Sequence, residues 1–190
     1  MNLDANNLLY TIPRSDWKGR FRELLLYICG KGQEQKHFGA IKLNKILYYC
    51  DFTTYERLDF AITGAAYRKL KHGPAPECLV PVREEMIASG LMKLETRTYP
   101  NNDTEHRLVA LREADLSIFH VGEIEIVDEI IERFADSTGT ELSELSHDIR
   151  WKTVTENTFM PYEMVWMSDE PITSQDIART KELASKHGWE

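Results

Sequence analysis

Apolar residues return every three or four positions through SDWKGRFRELLLYICGKG, where Trp17, Phe21, Leu24, Leu25 and Ile28 make one stripe. That spacing predicts an amphipathic helix with a single buried face. Ser15 or Asp16 can cap its start, and Gly30 or Gly32 can end it. Residues 38–54, FGAIKLNKILYYCDFTT, are patterned differently. Wound at about 100° per residue, Leu43, Ile46, Leu47, Cys50 and Thr54 share one face, and Phe38, Ile41, Tyr48, Tyr49 and Phe52 share a nearly opposite one. Asn44 and Asp51 fall in a narrow polar gap between them. A helix apolar on two faces is buried on two sides, so this one is expected at the centre of the fold. Lys42 and Lys45 flank its aromatic face, where their stems can lie along apolar surface while the ammonium groups reach water.

Further along, Thr63-Gly64 reads as a turn and residues 66–70 as a short strand, ended by Gly73-Pro74. Pro76 suits the first turn of a helix over 76–89. Pro81 conflicts with that span, which must then start later or kink; Gly90 ends it. Met92, Leu94, Thr96 and Thr98 alternate with Lys93, Glu95 and Arg97, and residues 99–103 are strong turn chemistry, so 92–111 reads as a hairpin. Ile124, Val127, Ile130, Ile131 and Phe134 form the stripe of another helix. Thr140 is expected to cap a further helix with the stripe Leu142, Leu145 and Ile149. Thr173 and Asp176 form a capping pair for a last helix carrying Ile177 and Ala184. The pattern predicts an α+β, mostly helical single domain, with a small antiparallel sheet or hairpin around a central buried helix. Residues 1–170 are expected to form this domain with an N-terminal extension, and 171–190 a C-terminal helical appendage of it.

Charge narrows the function. The chain of 190 residues carries a formal net charge of -8. Phosphate-backbone binding draws on cationic surface, so nucleic acid is an unlikely partner on this balance. No apolar run approaches the roughly 20 residues that span a bilayer, so no membrane partner is expected. Three widely spaced cysteines, Cys29, Cys50 and Cys78, fit a reducing compartment, and no signal-peptide pattern opens the chain; both point to the cytoplasm.

The search for chemistry returns little. There is no phosphate-cradling glycine loop, no HExxH and no CxxC. His37, His72, His106, His120, His147 and His187 never fall at ligand spacing, so no metal and no cofactor is expected. Cys50 lies on an apolar helix face and reads as a small core residue rather than a nucleophile. Glu123, Glu125, Asp128, Glu129 and Glu132 read as a solvated helix face. His147 and Asp148 are adjacent and would point about 100° apart on a helix, so they do not orient one another. No enzyme is expected. One alternative remains: helices followed by a hairpin resemble a winged-helix DNA-binding regulator. Its basic residues would be Lys93, Arg97 and Arg107, with Arg68, Lys69 and Lys71 nearby, although the hairpin tip, residues 100–103, is not basic.

Taken in order, KLNKILYYCDF, ITG, KHGPAPE and LSHDIRWKTV resemble the SocA-like antitoxin domain, also called the Panacea domain. The resemblance rests on Lys42, Leu43, Lys45, Leu47, Tyr48 and Tyr49, on Gly73 and Pro74, and on Leu145, Ser146, His147 and Trp151, across residues 20–165. Ile46 stands where the family usually has leucine, and Ala75-Pro76 where an apolar residue often follows Gly-Pro. The resemblance implies a non-enzymatic, protein-binding domain of bacterial or phage toxin–antitoxin pairs. Members neutralise a toxin by direct binding, and one type delivers it to a protease as an adaptor. A cognate toxin, with a protease as a further partner, is therefore the expected company. Leu43, Lys45, Leu47, Tyr49, Gly73, Pro74 and Ser146 are expected to be structural; Lys42, Tyr48, His147 and Trp151 are the candidate partner-binding residues, since aromatic side chains often anchor interfaces. Trp151 lies about 200° round from Ile149. It is expected to be buried near the central helix, which requires that its own helix end near Arg150 and the chain turn back.

Overall fold

A computed structural model describes residues 15–99 and 104–188 of the protein. The N-terminal extension and the hairpin tip therefore lie outside the described residues. The two-faced segment is helix α2 (Ala40–Leu58), and both of its faces are buried. Leu43, Ile46, Leu47 and Cys50 are covered on one side, Tyr48, Tyr49 and Phe52 on the other. Phe38 is buried just before the helix begins, and Ile41 on the same face is 41% exposed. Around α2 pack α1 (Trp17–Lys31), α4 (Val121–Arg133) and α5 (Gly139–Leu145). The single stripes of α1 and α4 face inward, as amphipathic helices on a shared core must. The described residues form a mostly helical α+β fold with two small antiparallel sheets.

In the first sheet the order is β2–β1–β5, from β1 (Tyr67–Leu70), β2 (Gly73–Pro76) and β5 (Phe159–Met160). Gly73-Pro74 does not simply end a strand, because it opens β2, which pairs with β1 from Leu70↔Gly73 to Tyr67↔Pro76. Prolines are tolerated there because β2 is an edge strand whose outer side needs no donors. The following helix consequently starts later than expected, as α3 (Leu79–Ala88). Pro81 is its third residue, where no intrahelical N–H bond is lost, so the sequence conflict dissolves without a kink. The second sheet is the hairpin of β3 (Met92–Thr98) and β4 (Thr104–Ala110).

Buried polar groups depart most from the sequence reading. Glu123 was read as solvated, yet it is fully buried and pairs with buried Arg20 at 2.5 Å. Arg20 also donates to the carbonyls of Ile62 and Ile118, which ties α1 to the loops before β1 and before α4. Asp51, expected in a polar gap, is likewise fully buried. It accepts from Thr63 N at 2.7 Å, from Thr63 Oγ1 and from Tyr67 Oη, also at 2.7 Å. Burial raises its pKa while these bonds pull it back. The Thr63-Gly64 turn is thus pinned on α2 by a side chain rather than by turn chemistry alone.

Candidate functional site

Three stretches distant in sequence meet beside the middle of α2. The first is Lys45, only 1% exposed, whose Nζ donates to the Pro74 carbonyl at 2.9 Å. Burial brings its pKa down to about 7. The second is the β1–β2 turn, residues 70–73. Gly73 adopts φ +89°, and a Cβ there would stand 2.2 Å from Ser146 Oγ and 2.5 Å from Lys45 Nζ. Glycine is required twice over, by backbone angle and by space. The third is the end of α5 with α6 (Ile149–Thr153). Ser146 Oγ donates to Ser143 O at 2.8 Å, and Ser143 Oγ donates to His72 O at 2.9 Å.

The expected single helix carrying Leu142, Leu145 and Ile149 is broken in two. Thr138, not Thr140, caps α5 through a reciprocal pair with Glu141. Asp148 then opens α6 by accepting from Trp151 N at 3.2 Å and pairs with Arg150 at 2.7 Å. The break at residues 146–148 therefore precedes the position expected near Arg150. Trp151 lies within α6, half-buried, where it packs against the hydrophobic core and bonds to the β1–β2 turn. Its Nε1 donates to Leu70 O at 3.1 Å, and its ring stacks on His147 at 4.0 Å. Lys69 Nζ stands 4.0 Å from the same ring and donates to Val154 O at 2.7 Å. Burial, then the Lys45 charge, holds the His147 imidazole below its ordinary pKa.

The other two candidate anchors lie elsewhere. Lys42 and Lys45 were expected to reach water; both are buried, because backbone carbonyls receive their ammonium groups. Lys42 Nζ donates to Ala135 O at 2.7 Å, just beyond α4, and burial lowers its pKa. Tyr48 is fully enclosed, with its ring against Tyr49, Phe52 and Tyr67 and its hydroxyl without a hydrogen-bond partner among the described residues. Neither presents surface to a partner. The structure thus brings together Lys45, Gly73, Pro74, Ser146, His147 and Trp151, and leaves Lys42 and Tyr48 in the core with Leu43, Leu47 and Tyr49. Around the assembled turn, Leu70 (41%) and Leu145 (49%) are exposed, as are Lys71 and Lys152. The sequence reading did not bring the segments of these two leucines together, because Ser143 and Trp151 join them to the turn over long sequence separations. A separate groove of about 730 Å³ lies between the turn end of the hairpin and the starts of α2 and α5, lined by His37, Ile41, Tyr99 and Thr138 among others.

Residues 43–152 match the family described as antitoxin SocA-like, Panacea domain. The chain belongs to this family. The matched region includes Lys45, Gly73, Pro74, Ser146, His147 and Trp151, which are the groups that meet around the turn. The Panacea match stops before β5, yet the core continues through Tyr162, Met164 and Val165. No curated protein and no solved structure matches the chain. A Panacea-type antitoxin domain points to a non-catalytic role. The winged-helix alternative finds no support. Arg107, one of its three hairpin cations, is 1% exposed and directs its guanidinium to the carbonyls of Gly32, Gln33 and Gln35 and to Glu105. Lys93 pairs with Glu95 at 2.7 Å. Among the described residues, no group of three His, Cys, Asp or Glu side chains could hold a metal ion, and no helix is long and apolar enough to cross a membrane.

Proposed function

We propose that the protein is a non-enzymatic antitoxin that neutralises a partner toxin by binding it directly, with His147, Trp151 and the turn they support as the contact face. The observation that carries this reading is the convergence of the family's separate sequence segments on one turn that reaches the surface. Purely structural motif residues would be satisfied in the interior, as Leu43 and Leu47 are. Here a buried base of Lys45, Gly73 and Ser146 holds a rigid turn, and exposed apolar side chains crown it. Rigid presentation lowers the ordering cost of binding. Co-expression with the product of the adjacent gene tests the reading: growth is restored and the two proteins co-purify. Continued toxicity with no complex contradicts it.

A proteolytic adaptor is the second reading, favoured by α7 (Ser174–His187). This helix is capped by Thr173 and Asp176, as its sequence indicates, and is exposed along most of its length. In this reading residues 1–170 hold the toxin, and 171–190 form the appendage that leaves a second surface for a protease. The toxin's half-life distinguishes the two: it shortens in the presence of an adaptor and is unchanged or lengthened by simple occlusion.

A further inference from the structure

We propose that the face built on the β1–β2 turn and α6 recognises an acidic protein segment that carries an apolar anchor. The proposal rests on the antitoxin reading for its place on the molecule, and it adds the chemistry of the partner. On this acidic chain, residues 66–76 and 145–154 hold Arg68, Lys69, Lys71, Arg150 and Lys152 against a single carboxylate, Asp148. Arg68 is neutralised by Glu77 at 2.7 Å and Arg150 by Asp148 at 2.7 Å. Lys69 is half-buried, fixed between the Trp151 ring and the Val154 carbonyl. Lys71 and Lys152 are exposed and have no ion pair among the described residues. Glu144 and Glu156 border the face, which narrows the cationic area to the turn and α6 themselves.

Exposed apolar side chains belong to the same segments. Leu70 follows Lys69 in β1 and its carbonyl accepts from the Trp151 indole, while Leu145 ends α5 next to Ser146, whose Oγ lies against Gly73. A fixed indole bonded to the turn, together with the exposed leucines and lysines of the segments that meet there, supplies the two ingredients of a small interface, apolar surface and a polar border. A nucleic acid would use the same lysines but would gain nothing from Leu70 and Leu145, and two unpaired lysines supply little phosphate affinity. Charge and shape together favour a carboxylate-bearing segment that inserts a leucine or an aromatic side chain.

A random peptide library displayed on phage and panned against the full chain tests this without requiring the toxin. Enriched peptides are expected to carry Asp or Glu around one large apolar residue. One such peptide, synthesised with a fluorophore, should bind the Lys71→Glu/Lys152→Glu variant about tenfold more weakly, and should weaken severalfold between about 50 and about 300 mM salt. Leu145→Ser should weaken it at both salt concentrations. Both variants change exposed side chains, and circular dichroism confirms that they fold. No enrichment, enrichment of basic or uncharged peptides, or binding that ignores both variants overturns the proposal. So does tighter binding of a single-stranded oligonucleotide at the same face. If the peptides behave as expected while co-expression fails to relieve toxicity, the antitoxin reading fails and the recognition chemistry stands.

Discussion

Gly73 concentrates the residue-scale evidence. Its φ of +89° and the closeness of Ser146 Oγ and Lys45 Nζ leave no room for a methyl group. Gly73→Ala is expected to destabilise by about 2–3 kcal/mol, measured by urea unfolding; an unchanged midpoint would show that the turn yields. Lys45 is the neighbouring case. Its pKa falls from 10.5 unfolded to about 7 folded. The unfolded chain therefore binds the extra proton between those values, and stability rises as pH climbs from about 7 towards 10. Below pH 7 the penalty for burying a charge is fully present. In Lys45→Met this rise should be absent relative to the parent, because the methionine has nothing to titrate. Parallel stability–pH curves for the two proteins would contradict the assignment. Trp151→Ala removes a stacked, hydrogen-bonded but half-buried indole, and should cost about 1–3 kcal/mol, less than a fully buried aromatic would.

Legibility follows the range of the interactions at the scale of elements. α1, α2 and α4 were readable because each stripe is a local periodicity that the core then uses. The capping pair of α7 was readable for the same reason. The split between α5 and α6 was not: its Asp148 cap on Trp151 N is local, but the apolar stripe runs on through Ile149, and the bond from Ser143 Oγ to His72 O that fixes α5 spans the fold. β2 escaped notice because Gly73-Pro74-Ala75-Pro76 has poor strand propensity and forms only where β1 supplies a partner. The candidate site was legible as separate segments and as residue types, but which of them would be buried was not. Nothing local distinguishes Lys45, received by a carbonyl, from a lysine that reaches water. Removal of residues 171–190 is expected to change stability by less than about 0.5 kcal/mol, read from thermal unfolding; collapse of the truncated chain would make α7 part of the core.

On the scale of the whole molecule, the helical core carries the β1–β2 turn and α6 at its surface. The Arg20–Glu123 pair, the Asp51 network and the Lys45 node each tie loops onto the helical centre, and the Lys45 node does so at the β1–β2 turn. An acidic body with a local cationic turn gives a partner both attraction and orientation. The most direct test of this account is calorimetric titration of the purified co-purifying toxin into the parent protein and into Leu145→Asp, which places a carboxylate on the exposed centre of the face. The account predicts that Leu145→Asp keeps its melting temperature and loses at least about tenfold in affinity. Equal affinity for the two proteins would place the toxin on another surface and contradict the central claim.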